Sequence, residues 1–223
     1  MLYLSNLYYS NLYYSNPYYF NPILTLIMSA YISYSQVITR NDNTWFINSK
    51  ISGIYTHIMK AMIDQVEAML SHHNKVFLLR FDLHQPNYTD TSKHVSKFFT
   101  RLSEHVKARY KVKRFGYTWV REQEKAKQQH YHCFILLDGN KIQESGYLIK
   151  AAKKYWELYY DGYLCWPTGR CYHRLKRNDH EAIQAAIYHI SYLAKGRGKG
   201  YKPAQAKNFG NSRIKPKESA IKP

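Results

Sequence analysis

The segment VFLLRFDLH, opened by Asn74 and closed by Gln85-Pro86, most constrains what this chain can fold into. In an extended chain successive side chains point to opposite faces. Phe77, Leu79 and Phe81 therefore share one face, and Arg80, Asp82 and His84 share the other. A strand with an apolar face needs a second layer packed on it, and its polar face is free to line a site. Gly116–Glu122 and His130–Leu137 read as two more strands, joined by the polar loop EQEKAKQQ, and a fourth lies near Cys171–Lys176. Asp138-Gly139-Asn140 is a turn.

Helical spacing marks the rest. From Thr44 to about His72, Ile54, Ile58, Ala61, Met62 and Val66 recur every three or four residues. A second helix runs from about Thr91 to Lys107 behind Asp90-Thr91-Ser92, and a third from about Tyr147 to Tyr159. The last spans about His180–Lys195, with Asn178 and Glu181 as a capping box and Gly196 as its stop. Helices interleaved with single and paired strands predict an α+β fold, with a mainly antiparallel central sheet flanked by helices.

Four segments are expected. Residues 1–39 carry no charged side chain and contain the repeat LYLSN, LYYSN, LYYSN, PYYFN, from Leu2 to Asn21. This stretch is expected to be disordered or to precede the true translation start, with Met28 the alternative. Residues 40–72 form an N-terminal helical segment, 73–196 the domain that carries the chemistry, and 197–223 a basic, flexible tail. From Lys195 onward nine basic residues face one acid, Glu218.

The formal net charge of +18 points to a polyanionic partner, nucleic acid first. Three cysteines without a CxxC pair exclude a disulfide framework and a cysteine zinc site, and fit a reducing cytoplasm. The longest mainly apolar run, Ile23–Met28, is far short of the roughly 20 residues of a membrane span. No Walker A motif is present, so a helicase has to come from elsewhere.

The sharpest local signal is His130-Tyr131-His132. On a strand both imidazoles point one way, which makes two corners of a divalent metal site. If the loop closes a hairpin, Glu122 lies beside them, with Glu124 and Gln123 as competitors. Two imidazoles and a carboxylate with open positions suit Mg²⁺ or Mn²⁺. Asp82 is placed to orient a histidine ligand. On the last helix Tyr188, Tyr192 and Lys195 form a stripe at the edge of the core face. A tyrosine hydroxyl is a weak nucleophile unless a metal, base or cation assists it. Lys195 is placed to do so for Tyr192. Arg80, Arg121, Arg197 and Lys199 are the candidate DNA contacts.

Taken together, these pieces resemble the HUH endonucleases and, more narrowly, the inovirus-type replication initiators with a YagK/YfjJ-like C-terminal domain. The resemblance rests on RFDLH (80–84), WVRE (119–122), HYHCFIL (130–136), SYLAK (191–195) and NFGNSR (208–213), in that order. It implies a palm- or RRM-like core with His130, His132 and Glu122 as metal ligands. It further implies Tyr192 as nucleophile, with Lys195 as its partner. The implied reaction is nicking and rejoining of single-stranded or hairpin origin DNA in rolling-circle replication, through a 5′-phosphotyrosine and a free 3′-OH. The implied setting is the cytoplasm of a bacterial host that supplies helicase and polymerase. The two-tyrosine pattern Y-x-x-K-Y-x-x-K is met by Tyr188 and Tyr192, but Ser191 replaces the first lysine. The open alternatives are a non-catalytic prophage DNA-binding regulator, a relaxase or transposase of the same chemistry, and a basic RNA-binding protein.

Overall fold

A computed structural model describes residues 32–123, 128–199 and 205–218, all within one compact unit, Tyr31–Pro223. The pentapeptide repeat and Glu124 lie outside the described residues. In chain order the elements are β1 (Ile32–Ser33), β2 (Val37–Arg40), β3 (Asn43–Phe46), β4 (Ile54–Tyr55), α1 (Thr56–His72), β5 (Lys75–His84), α2 (Lys93–Tyr110), β6 (Gly116–Glu122), β7 (His130–Asp138), α3 (Gly146–Tyr160), β8 (Tyr163–Cys165), β9 (Tyr172–Lys176), α4 (His180–Ser191), a 3₁₀ turn (Tyr192–Ala194) and β10 (Phe209–Asn211).

The fold is α+β, with helices flanking a six-stranded antiparallel sheet of order β10-β6-β7-β5. β8 and β9 share the far edge of β5: β8 pairs with 82–84 and β9 with 75–79. Phe77, Leu79, Phe81 and Leu83 enter a core with Val95, Phe98, Phe99 and Leu102 of α2 and Leu148 and Trp156 of α3. The even-numbered residues of β5 face the other way, toward α1 and α4. There Met69 of α1 lies against Gly116 and Leu136, and Tyr192 reaches His132. Trp156 is fully buried and donates from Nε1 to the His84 carbonyl oxygen at 2.7 Å. Trp156→Ala is expected to cost about 3–5 kcal/mol in urea unfolding. A loss below about 1 kcal/mol would contradict this packing.

The structure corrects several expectations. Residues 44–55 are not helical. Asn41 and Asp42 both adopt positive φ and close the β2–β3 hairpin, and α1 starts only at Thr56. β1 and the first three residues of β2 thus lie within residues 1–39. The cap of α4 is Asp179, which accepts from the Ala182 N–H at 3.0 Å, not the Asn178–Glu181 box. Ser92 does not cap α2, because its hydroxyl accepts from the Lys207 N–H instead. The last α-helix ends at Ser191, and Tyr192 opens a tighter turn.

The described part of the C-terminal segment is packed against the domain. β10 pairs with Thr118–Val120, and the Gln65 side chain ties down Ser212 and Ile214. Backbone groups of an edge strand find ladder partners there, and that outweighs the solubility of the charged side chains around them.

Candidate metal centre

Sheet register assembles the site. β6 and β7 place Glu122 opposite His130 and Val120 opposite His132, while β5 and β7 place Asp82 opposite His132 and His84 opposite His130. Directly opposed residues share a face, so the carboxylates and imidazoles converge at one end of the sheet. Among the described residues, Glu122, His130 and His132 bring one ligand atom each within 4.8 Å of one another. His132 Nε2 lies 3.2 Å from Glu122 Oε2, and His130 Nε2 lies 4.0 Å from Oε1.

The opposite ring nitrogens are also engaged. His130 donates from Nδ1 to the Gln128 carbonyl oxygen at 3.3 Å. A carbonyl can only accept, so this contact keeps the Nε2 lone pair of His130 for the cluster. His132 Nδ1 lies 2.9 Å from Asp82 Oδ1, close but not aligned for a hydrogen bond, so the contact is one of charge. The donor set therefore fits a divalent cation held by two Nε2 atoms and one carboxylate.

Electrostatics fit as well. Burial alone would raise the Glu122 carboxyl, but the His132 hydrogen bond and the Lys199 and histidine charges hold it at about 2. Burial would lower His132, but Asp82 and Glu122 outweigh it and push the imidazole above its ordinary value. Burial and the neighbouring His132 push His130 down. A proton on His132 and a bound cation would serve the same end, balancing the charge of the two carboxylates.

Tyr192 is 38% exposed, with its ring edge-on to His132, centroids 5.3 Å apart. The Arg80 guanidinium lies 4.9 Å from the Tyr192 ring centroid and Lys195 Nζ 5.1 Å from it. The 3₁₀ turn brings this about, and the Lys195–Ile54 bridge and a Gly196 N–H to Gly53 carbonyl bond anchor it. Tyr188 remains on α4, 45% exposed. Ser191 is fully buried. It accepts from the Asn48 N–H at 2.9 Å and donates to the Tyr188 carbonyl at 2.6 Å. A lysine at this position would have to bury its ammonium.

The family model of the YagK/YfjJ C-terminal domain matches residues 38–212, most of the chain. The chain belongs to this family. Searches of curated proteins and of solved structures give no match. In this YagK/YfjJ C-terminal domain the match begins in β2 and ends just past β10, so the hairpin and the C-terminal strand fall within it. No helix among the described residues is long and apolar enough to cross a membrane.

The structure separates the candidate DNA contacts. Arg80 is 5% exposed beneath Tyr192, so it belongs to the site rather than to an outer surface. Arg121 points to the face opposite Glu122, where it is buried and donates to Gln123 and Gln129 at 2.9 and 3.0 Å. Arg197 is exposed on the turn after Gly196. Lys199, expected to face phosphate, is instead buried, with Nζ 3.6 Å from Glu122 Oε2. Burial lowers it to about 8, against the pull of Glu122. Gly198 makes this contact possible: at φ +68°, a Cβ there would meet Glu122 Cγ at 2.4 Å. A cation bound at Glu122 must share the carboxylate with Lys199 or displace it.

Two features escape sequence reasoning. His84 stacks on His130 with ring centroids 5.1 Å apart, and His189 of α4 meets His173 of β9 at 2.9 Å. The alternation in RFDLH put His84 on the site face, but only the register shows which histidine it meets. Asp82→Asn is expected to weaken Mn²⁺ binding by roughly 10- to 100-fold without unfolding the protein, as read by calorimetric titration. Unchanged affinity would show that Asp82 does not orient His132.

Proposed function

We propose that this protein is a metal-dependent, site-specific DNA endonuclease and strand transferase of the HUH type, acting as a rolling-circle replication initiator of the inovirus kind. The observation that carries the reading is the edge-on contact of Tyr192 with His132 of the Glu122–His130–His132 cluster. A tyrosine ring beside three convergent side chains able to ligate a metal, flanked by Arg80 and Lys195, is an arrangement suited to phosphoryl transfer.

Glu122, His130 and His132 would hold Mg²⁺ or Mn²⁺, and such an ion would supply Lewis-acid stabilisation of charge on the phosphate. The Tyr192 oxygen attacks phosphorus, a Tyr–O–P bond forms, and the P–O3′ bond breaks. The phenol proton ends, in net terms, on the released 3′-OH. Arg80 and Lys195 orient the phosphate and balance its charge. The 3′-OH primes synthesis, and the phosphotyrosine conserves the bond energy needed to rejoin the strand. The substrate is single-stranded or hairpin origin DNA in the cytoplasm of a bacterial host carrying the phage or prophage. Host helicase and polymerase complete replication.

The test is covalent capture. Full-length protein is incubated with labelled single strands tiled across its gene neighbourhood, with Mn²⁺, Mg²⁺ or EDTA, and resolved on denaturing gels. Metal-dependent protein–DNA adducts on one tile support the reading. Tight binding with no adduct on any tile would replace it with a non-catalytic DNA-binding role.

A further inference from the structure

One cross-strand row runs through the candidate centre and out beyond it. Tyr163 of β8 is opposite His84 of β5, His84 is opposite His130 of β7, and His130 is opposite Glu122 of β6. Tyr163 and His84 stack with centroids 4.5 Å apart and planes 4° apart; His84 and His130 stack at 5.1 Å and 9°. The Tyr163 ring thus sits two strand spacings, about 10 Å, from a metal-ligand candidate and parallel to it.

The row is held firmly. Cys165 Sγ lies 3.3 Å from His84 Nε2, and Trp156 donates to the His84 carbonyl. Gly162 lets β8 come this close: a Cβ there would lie 2.1 Å from Trp156 Nε1 and 2.3 Å from the His84 oxygen.

The outer end of the row is open to solvent. Tyr163 is 54% exposed and Trp166, at the β8 end of the β8–β9 connection, is 52% exposed. Residues 162–178 carry no acid; Arg174 is bonded to the Gln143 carbonyl, Arg177 to the Leu70 and Ser71 carbonyls, and Lys176 sits opposite Lys75 at the far end of β5, whereas Arg170 lies in the same β8–β9 connection as Trp166. The Arg170 charge reaches His173 and His189, and His189 lies one turn before Tyr192. Exposed aromatic rings followed by Arg170 in one acid-free connection, in line with a candidate phosphate-cleaving centre, match the chemistry of unpaired bases and their phosphates.

We propose that Tyr163 and Trp166 form a stacking platform for unpaired bases of single-stranded DNA next to the cleaved phosphate, with Arg170 contacting the backbone. The platform rests on the nicking reading for its purpose but not for its measurement. A duplex keeps its bases stacked on one another and offers no free face to these rings. The platform therefore selects single strands and leaves duplex binding to charge.

Binding is measured by fluorescence anisotropy on the full chain in EDTA, with a labelled oligothymidylate of about 20 nucleotides and the matching duplex. Tyr163→Ala and Trp166→Ala are each expected to weaken single-strand binding roughly 10-fold and leave duplex binding unchanged. Tyr163→Phe and Trp166→Phe keep a stacking ring and are expected to bind as wild type, which separates loss of stacking from loss of fold. Arg170→Gln is expected to flatten the salt dependence of binding. Alanine variants that bind single strands as tightly as wild type, or lose single strand and duplex equally, overturn the platform. An absent covalent adduct with these binding losses intact would sink the nicking reading alone. Normal adduct formation with no binding loss would sink the platform alone.

Discussion

Tyr192→Phe is expected to abolish the covalent adduct, with a fall in cleavage of roughly 10⁴-fold or more, the scale on which removal of a covalent nucleophile acts. The substitution removes one oxygen and keeps the ring edge-on to His132, so folding and DNA binding should persist. Tyr188→Phe tests the alternative nucleophile. Tyr188 lacks the partner lysine, because Ser191 is buried and committed to Asn48 and the Tyr188 carbonyl. The Tyr188 variant is therefore expected to keep most single-turnover cleavage. If Tyr188→Phe alone removes the adduct, the chemistry stands and the assignment of Tyr192 falls.

The second large effect concerns the metal. His130→Ala/His132→Ala is expected to lower Mn²⁺ affinity by more than the roughly 100-fold that loss of an outer orienting partner costs, and to remove cleavage with it. In the wild type, affinity is expected to depend on pH through His132. Its value is raised by the two carboxylates, so below that value the ring is protonated and a cation must displace the proton. Affinity should fall by about tenfold per pH unit below the raised value and level off above it. Calorimetry in buffers of different ionisation enthalpy would count the released proton. Affinity that is flat with pH, or unchanged in the double variant, would remove Glu122, His130 and His132 as the binding site.

Much of the fold was legible because it rests on local periodicity. Strands β5, β6 and β7 carry long apolar faces, and α1 to α4 carry helical stripes, so their existence shows in the order of residues alone. The elements missed were short. β8 and β10 have three residues each, too few to establish an alternating pattern. The β2–β3 hairpin did leave a signal, Asn41-Asp42 between four-residue strands, since both residues accept the positive φ that such a turn requires. A helical pattern read from Thr44 onward obscured it.

By itself the sequence determined that His130 and His132 share a face, that Arg80, Asp82 and His84 share another, and that Arg121 points away from Glu122. Each follows from the period of two along a strand. The tertiary structure alone decided which of these faces meet. Register set Glu122 against His130 and Asp82 against His132, and extended the same row through His84 to Tyr163. It also turned Lys199 from a surface cation into a buried partner of Glu122. Pairing between strands depends on how whole elements pack and which backbone groups find partners, and no local pattern carries that information.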